Sequence, residues 1–324
     1  MTPIGGYFSL ELKKETELHS DALKFNAGRY ALEYVLTARG YHKVYLPYYT
    51  CASVLQPIRH LGIEYEFYHI NDYFEPAIVL HPKDDEVVLY INYFGLKSHF
   101  SSSFCETYRN TILDLTQAFY CEPGKQIDNN SHQCDSYYSC RKFFGVPDGA
   151  YLYTNCFLND NLVQDESFER FSFLTKRIDR SPQEGYGDFQ ENERILSTVG
   201  MKRMSRLTET MMKGIDYTDK AIRRINNFRT LNHALGDTNR FKWKLDMGTV
   251  PLVYPYLVDN GSRLRQHLID EHVFCARYWP DVFNWCEQDD LEYHFADNIV
   301  FLPIDQRYGA SDMNIIINII KRWK

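Results

Sequence analysis

The first half of the chain alternates short runs of β-branched and aromatic residues with helix-like segments. A strand that is followed by a helix and then by another strand is typical of a mainly parallel sheet with helices on its faces. Two segments between the runs, residues 50–60 and 101–109, have helical character. The sequence therefore predicts a large α/β domain with strands at residues 43–46, 65–70, 87–92, 111–115, 136–138 and 151–154.

The second half of the chain changes character at Gly236. The stretch before this glycine has the pattern of long helices, whereas the stretch after it returns to alternating strands and helices. We therefore predict a large domain at residues 1–235 and a smaller C-terminal α/β domain at residues 236–324. The predicted helices are 194–213, 216–235, 262–271 and 311–323, and the predicted strands are 249–257 and 298–302.

The last predicted helix is amphipathic. Ser311 is expected to cap its amino terminus, because a serine side chain accepts a hydrogen bond from the first turn. Apolar residues at helical spacing form one face, which is expected to pack against the smaller domain. These residues are Met313, Ile316, Ile317 and Ile320.

The composition is that of a folded protein with a sizeable core. Of the 324 residues, 44% are hydrophobic, and the chain carries 25 Tyr, 21 Phe and 4 Trp, more aromatic surface than a disordered chain would carry. The formal net charge is −7 and the pI is near 5.9. Affinity for nucleic acid rests largely on phosphate neutralisation. The sequence therefore predicts no nucleic-acid partner.

The apolar runs are too short to cross a bilayer, which takes about 20 residues. The longest lie at residues 86–93 and 314–320, and we expect no membrane partner. Residues 1–11 lack the basic start, apolar middle and cleavage site of a secretory signal. We therefore expect a cytoplasmic protein whose eight cysteines are free thiols, since no C-x-x-C pair occurs. His132 and Cys134 come nearest to a metal-ligand pair, but the surrounding polar residues favour a loop.

A lysine among aromatic residues is the first candidate for chemistry. Lys142 stands directly before Phe143 and Phe144, close after two tyrosines and next to the cation Arg141. We expect a poorly hydrated pocket there, and poor hydration beside a positive charge makes a lysine more acidic. A neutral lysine amine forms a Schiff base with a carbonyl. The competing interpretation is a surface lysine whose stem lies along aromatic rings.

A carboxylate at the end of an apolar run is the second candidate. Asp114 lies near the end of the predicted strand 111–115. Ligands of parallel sheets bind at the carboxyl ends of strands. A buried carboxylate there needs a cationic or hydrogen-bonding partner, and a protonated pyridine ring would supply one. Gln117 could then donate to a phenolic oxygen on the same ring. The alternative is an aspartate that caps a following helix.

The third candidate is the turn that opens the first predicted helix. Ala27, Gly28 and Arg29 come directly before an apolar helical face. The free backbone amides of such a first turn form an anion site. Most helices start in this way without holding a phosphate, so the turn is informative only in combination with the other two segments.

Together these segments resemble, in order and spacing, the DegT/DnrJ/StrS family of pyridoxal-phosphate (PLP) sugar aminotransferases. The resemblance implies an α/β chain with the aspartate-aminotransferase-like fold of PLP-dependent transferases, and PLP as the cofactor. It covers nearly the whole chain. Residues 45–51, 91–95, 250–252 and 301–308 also look like segments of the family.

The resemblance also implies roles for individual residues. Lys142 matches the Schiff-base lysine and Asp114 the carboxylate that pairs with the pyridine nitrogen, so both are expected to be catalytic. Gln117 matches the residue beside the phenolic oxygen. The expected phosphate ligands are Ser139, in the family's Ser-x-x-Lys arrangement, and the turn of Ala27, Gly28 and Arg29.

Among the departures from the family pattern, two concern the residues expected around the cofactor. The phosphate turn usually carries Ser or Thr where this chain has Ala27 and Arg29, so backbone amides and the Arg29 guanidinium are expected to replace the hydroxyls. The aromatic residue that usually stacks on the cofactor ring falls near Cys51. Tyr49 is the expected substitute.

The resemblance implies an aminotransferase that takes an amino group from an amino acid donor and passes it to a keto acceptor. The expected acceptor is a nucleotide-linked keto-sugar used for a cell-surface glycan. A homodimer with active sites near its interface is also implied. Two alternatives are a PLP enzyme of other chemistry, such as a lyase or dehydratase, and a PLP-fold protein that has become a binding or regulatory module. Lys142 argues against a dehydratase, because family members that dehydrate tend to have lost the lysine.

Overall fold

A computed structural model describes residues 4–124, 133–159 and 161–323. The described residues form a seven-stranded sheet with the order β1-β7-β6-β5-β4-β2-β3. His132, one half of the sequence-predicted metal pair, lies outside the described residues. The strands of the sheet are β1 (Leu23–Phe25), β2 (Lys43–Pro47), β3 (Glu64–Tyr68), β4 (Glu86–Ile91), β5 (Asn110–Asp114), β6 (Gln133–Ser139) and β7 (Ala150–Tyr153).

The large sheet is mainly parallel. Strands β3, β2, β4, β5 and β6 run in one direction, whereas β7 pairs antiparallel with β6 and with the edge strand β1. Every residue of β4 and β5 is buried, as expected for a sheet that is covered on both faces. The predicted large α/β sheet is confirmed, and β1 is a three-residue strand that the sequence did not indicate.

Seven helices of the described chain precede the second sheet, and no helix in residues 4–124, 133–159 or 161–323 is long and apolar enough to cross a membrane. The predicted continuous helix over residues 194–213 is wrong, because the chain turns at Gly200 with a φ of 80° and restarts at the N-cap Ser205. The helices are α1 (Gly28–Arg39), α2 (Ala52–His60), α3 (Ser98–Thr107), α4 (Ser172–Asp179), α5 (Pro182–Thr198), α6 (Arg206–Lys213) and α7 (Tyr217–Leu235).

The C-terminal part forms a smaller α/β unit. Two antiparallel strands, β8 (Val253–Leu257) and β9 (Ile299–Pro303), form its sheet. The helices of this part are α8 (Gly261–Asp270), α9 (Val282–Trp285), α10 (Leu291–Asn298) and α11 (Ala310–Arg322).

Helix α11 begins one residue earlier than predicted. Its N-cap is Gly309, whose amide donates to Asp312 at 2.9 Å, so the predicted capping role of Ser311 is wrong. The predicted apolar face is confirmed, since Met313, Ile316, Ile317 and Ile320 are all buried.

Helix α7 packs into the core of the smaller unit. Phe228, Leu231 and Leu235 belong to the same buried cluster as Tyr254 of β8 and Ile316 of α11. The predicted boundary after residue 235 assigns this helix to the large domain, although its buried face lies in the second core. The division into domains at that boundary stays a prediction.

The cysteines are not all free. Cys105 of α3 and Cys134 of β6 form a disulfide with their Cα atoms 5.7 Å apart. The expectation of eight free thiols is therefore wrong for this pair. The free cysteines are Cys51, Cys121, Cys140, Cys156, Cys275 and Cys286.

Candidate active site

A cavity of about 330 Å³ opens at the carboxyl ends of the central parallel strands. The last residues of β4, β5 and β6 line it, namely Ile91, Asp114 and Ser139. This is the edge where ligands of open α/β sheets bind, because the loops that follow the strands leave a crevice there. The cavity is the natural candidate for the active site.

Asp114 is buried at the floor of the cavity, with 5% of its surface exposed. Its Oδ1 accepts from the amide of Thr116 at 2.9 Å, and its Oδ2 accepts from the hydroxyl of Tyr137 at 2.7 Å. The segment after Asp114 is a turn and not a helix, so the alternative of a helix cap does not apply. A carboxylate has about four acceptor positions, and two hydrogen bonds therefore leave room for a further donor.

Lys142 lies at the end of a short 3₁₀ turn, Cys140–Lys142, that follows β6 directly. Its Nζ donates to Oγ1 of Thr116 at 2.7 Å. The amine therefore lies against the loop that follows Asp114. The expected poorly hydrated pocket is wrong, since Lys142 is exposed while Phe143 and Phe144 are buried in the core. The amine is therefore open to a ligand that enters the cavity.

Gln117, in the wall of the cavity, has an unsatisfied donor. The residue is 1% exposed, and its Oε1 accepts from the backbone amide of Phe94 at 2.8 Å. Since only the oxygen of the side-chain amide can accept, this bond fixes the orientation of the amide and leaves Nε2 on the other side. Within the described chain, Nε2 is buried without a hydrogen-bond partner, and so is the hydroxyl of Thr50 in the same wall. Unpaired buried donors are rare and call for an acceptor.

The amino terminus of α1 forms another part of the wall. Ala27 is its N-cap and makes no side-chain cap hydrogen bond, and the amides of Tyr30 and Ala31 both donate to the Ala27 carbonyl. The amides of Gly28 and Arg29 come before the first of these hydrogen bonds and lie at the positive end of the helix dipole. The Arg29 guanidinium also lines the cavity and hydrogen-bonds the side chain of Gln56.

In the sequence, Arg141 stood out only as a neighbour of Lys142. Arg141 lines the cavity, its side chain is 16% exposed, and it forms an ion pair with Glu193 of α5. Burial and the nearby positive charge of Arg29 lower the pKa of Arg141 to about 10. The sequence pattern of α5 did not indicate a role for Glu193, because a glutamate on a surface helix is common.

Tyr49, the expected stacking residue, does not reach the cavity. It is completely buried, and its hydroxyl donates to the Tyr278 carbonyl at 2.9 Å. Its ring packs against Trp279 with the centroids 5.0 Å apart. Tyr49 is therefore a core residue beneath the wall, and the prediction that it stacks on a cofactor ring lacks the necessary access.

The aromatic part of the wall comes from the C-terminal part of the chain. Tyr278 and Trp279 line the cavity together with Cys51. They lie 136 and 137 residues after the lysine in the sequence, in a loop without a motif. The only available signal was the Tyr-Trp pair itself, which a buried core explains equally well.

The comparisons with known proteins bear on the fold. No family model matches the sequence, and no curated protein matches it. Solved structures do match. A DegT/DnrJ/EryC1/StrS aminotransferase from Brucella abortus has 17% identity and a TM-score of 0.58, over 93% of this chain and 85% of that one. The fold is that of the aspartate-aminotransferase-like PLP-dependent enzymes.

Two further structures support this fold. A putative sugar aminotransferase from Streptococcus pneumoniae in its PLP form has 15% identity and a TM-score of 0.63, over 94% of this chain and 88% of that one. A sugar aminotransferase from Micromonospora echinospora has 13% identity and a TM-score of 0.60, with the same coverage. At such identities the similarity establishes the PLP-dependent transferase fold, which the sequence predicted, and leaves the activity to the site.

The residues around the cavity fit PLP. A pyridine nitrogen can donate to the free acceptor positions of Asp114, and the unpaired Nε2 of Gln117 can donate to a phenolic oxygen. An exposed amine at Lys142 can react with an aldehyde. The side chains of Arg29 and Arg141 and the first amides of α1 can bind a phosphate. The orphaned donor of Gln117 is the observation that favours this group most directly, because it needs an acceptor at that place.

Proposed function

We propose that this chain is a PLP-dependent aminotransferase. The observation that carries the proposal is the convergence of three groups on one cavity: the amine of Lys142, the buried carboxylate of Asp114 and the unpaired amide donor of Gln117. Each group suits a different atom of the cofactor. The fold of the neighbouring structures agrees with the proposal without deciding it.

Asp114 would hold the cofactor ring and keep its nitrogen protonated. The hydrogen bonds from Thr116 and Tyr137 keep both carboxylate oxygens in place, and hydrogen bonds to the charged form favour that form. When bound, PLP supplies an electron sink for the pair of electrons that a substrate carbon releases. A fixed negative charge at the ring nitrogen supports this chemistry.

Lys142 would act as anchor and then as proton carrier. Its amine reaches Oγ1 of Thr116 at 2.7 Å, and Thr116 belongs to the loop that Asp114 orients. A free amine at this position can take a proton from a substrate carbon and return it to another atom of the same ligand, which is general acid–base catalysis. The exposure of the lysine leaves the side chain free to make both movements.

The proposed donor is an amino acid, and the proposed acceptor is a nucleotide-linked keto-sugar for glycan biosynthesis. This part rests on the sugar aminotransferases among the structural neighbours. We also propose a cytoplasmic location and a homodimer.

The decisive experiment is borohydride reduction of the PLP-loaded protein, followed by peptide mapping. The reduced cofactor is expected on the peptide that contains Lys142, and Lys142→Ala should remove the label. Lys176→Ala is the matched control, because Lys176 of α4 pairs with Asp188 of α5 and lies outside the cavity wall. A label on another lysine would contradict the proposal.

A second measurement separates an aminotransferase from the alternatives. Glutamate should convert the loaded protein to its aminated cofactor form, with a change in absorbance, and a keto acceptor should reverse the change. A lyase or dehydratase would release a product without this reversible exchange. A binding module would hold PLP and show no response to any amino acid.

A further inference from the structure

Two guanidinium groups stand where the first turn of α1 opens into the cavity. We propose that Arg141, together with Arg29, forms a binding site for a phosphate monoester dianion, and that the cofactor phosphate occupies it. The identity of the occupant rests on the proposed function, whereas the anion site itself does not. The two arginines would take the place of the hydroxyl groups that this chain lacks in the turn.

The helix terminus supplies the directional part of the site. Ala27 has no side-chain hydroxyl and leaves the first turn of α1 without a side-chain cap. Gly28 and Arg29 are the first two residues of α1, so their amides have no acceptor within the helix, and such amides favour an anion. A helix terminus alone is common, and here the Arg29 and Arg141 side chains add to it.

The side chains give the wall an excess of positive charge. Arg29, Arg141 and Lys142 line the cavity, and the carboxylates that line it are Asp114 and Glu193. Both oxygens of Asp114 already accept hydrogen bonds, one from Thr116 and one from Tyr137. Glu193 pairs with Arg141, so one carboxylate of the described wall stands against the two guanidinium groups of Arg29 and Arg141 and leaves one positive charge uncompensated.

Arg141 lies in an environment that is unfavourable for its positive charge. Two like charges beside each other in a poorly hydrated place repel, and the lowered pKa of Arg141 records both its burial and the Arg29 charge. Its Nε is also buried without an acceptor within the described residues. A dianion between the two guanidinium groups would satisfy this donor and remove the repulsion, because guanidinium and phosphate match in charge and geometry.

The competing explanation is that Arg141 only ties the lysine segment to α5 through Glu193. Substitution of Arg141 would then destabilise the fold and weaken every ligand of the cavity to the same degree. A phosphate site predicts a selective effect instead. Ligands with and without a phosphate group therefore distinguish the two explanations.

The experiment compares PLP with pyridoxal, which lacks the phosphate, on cofactor-free protein. Arg141→Met is expected to weaken PLP binding roughly ten- to a hundredfold, the usual effect of a lost charged hydrogen bond, and to change pyridoxal binding less than about twofold. Arg29→Met should act in the same direction. Arg194→Met is the matched control, because Arg194 lies on the exposed side of α5 and pairs with Glu191. An equal loss for PLP and pyridoxal would overturn the proposal.

Glu193→Gln tests the role of the ion pair separately. Removal of this carboxylate increases the positive charge of the wall, so PLP binding is expected to stay the same or to tighten. A loss as large as that of Arg141→Met would show that Arg141 serves the ion pair, and it would overturn the phosphate site.

Inorganic phosphate provides an arm that does not depend on PLP. It should raise the thermal midpoint of the cofactor-free wild type and of Arg194→Met, and should have no effect on Arg141→Met. If the wild type binds neither PLP nor pyridoxal, the proposed function fails, while protection by phosphate still supports the anion site. The absence of phosphate protection in the wild type would count against the site even in a protein that binds PLP.

Discussion

The phenolic hydroxyl of Tyr137 donates to Oδ2 of Asp114 at 2.7 Å, and the two residues are Cα partners on neighbouring strands. Burial and the Asp114 charge raise the pKa of Tyr137 well above its ordinary value. The phenol therefore stays protonated and donates to the carboxylate. Sheet register thus delivers a carboxylate whose orientation is set before any ligand arrives.

Asp114→Asn is expected to keep the fold and much of the cofactor but to lose most turnover. A neutral amide no longer holds a ring nitrogen protonated, and the loss at such a site is about 2–4 kcal/mol, or about two to three decades in rate. Tyr137→Phe removes only the orienting hydrogen bond and should lower the rate about tenfold. Turnover numbers of the reconstituted variants check both. Activity of Asp114→Asn within a few-fold of wild type would give Asp114 a structural role only.

Gln117→Glu tests the unpaired donor with little change in shape. A glutamate still accepts from the Phe94 amide, but it presents an oxygen where the glutamine presents Nε2. PLP binding should weaken at least about tenfold, because a donor is lost and a charge is placed beside the phenolic oxygen. Gln266→Glu on the exposed face of α8 is the control. Titration of the cofactor absorbance gives the dissociation constants, and unchanged binding would exclude Gln117 from the cofactor site.

Trp279 is expected to provide the aromatic face that Cys51 cannot. Trp279→Leu should weaken PLP binding and reduce the circular dichroism of the bound cofactor, whereas Trp279→Phe should keep most of both signals. The double variant with Cys51→Phe should recover part of the loss. Trp285→Leu is a control for core damage, since Trp285 packs on Phe67 and does not line the cavity. Equal effects in Trp285→Leu would show that packing alone is responsible.

The protein is expected to sediment as a dimer of the 38.3 kDa chain. The segment around α4 and α5 exposes large apolar side chains, among them Phe168 at 67% and Ile178 at 83%, and it borders a second cavity that includes Lys142. A second copy of the chain would cover this surface. Phe168→Asp with Ile178→Asp should yield monomers, and Met247→Asp, at an exposed residue outside this surface, should not. A monomeric, active wild type at micromolar concentration would contradict the prediction.

His19 is expected to make stability depend on pH. Burial lowers its pKa to about 4 and outweighs the hydrogen bond to the Phe119 carbonyl, which favours the protonated ring. The neutral ring donates from Nε2 to that carbonyl and accepts at Nδ1 from the Tyr153 hydroxyl. The unfolded chain binds a proton near pH 6.5, so stability falls as the pH falls from about 6.5 towards 4. The free energy of unfolding should decrease by about 2 kcal/mol between pH 7 and pH 5 through this group. Denaturant titrations of His19→Gln should show a smaller decrease in the free energy of unfolding over this pH range. A decrease equal to that of the wild type would show that other groups cause the pH dependence.

The parallel strands could be predicted because each is a short apolar run between turn signals. Asp114, Gln117 and Lys142 come from consecutive loops at one sheet edge, so their meeting follows from chain order. The position of Tyr49 could not be predicted in this way. A one-residue difference in where a strand ends decides whether a tyrosine faces the core or the crevice, and the sequence does not resolve it.

Arg141, Glu193 and Trp279 escaped prediction for a different reason. Each reaches the cavity through contacts between elements far apart in sequence, and none stands in a local pattern that differs from an ordinary surface or core residue. The hydration of Lys142 was misjudged because the two following phenylalanines turn into the core. Flanking sequence indicates the composition of a neighbourhood, and only the backbone path indicates which side chains face the lysine.

The shared wall of the cavity has a thermodynamic consequence. Tyr278 and Trp279 belong to the C-terminal part, and the Tyr49 hydroxyl fastens them to the large sheet. A ligand that touches both parts favours the docked arrangement over any partly opened one, by an amount that grows with its concentration. Local unfolding of the C-terminal part would release the ligand while the large sheet stays intact. Occupancy and docking are therefore reciprocal, and hydrogen exchange in β8 and β9 should slow when the cavity is filled.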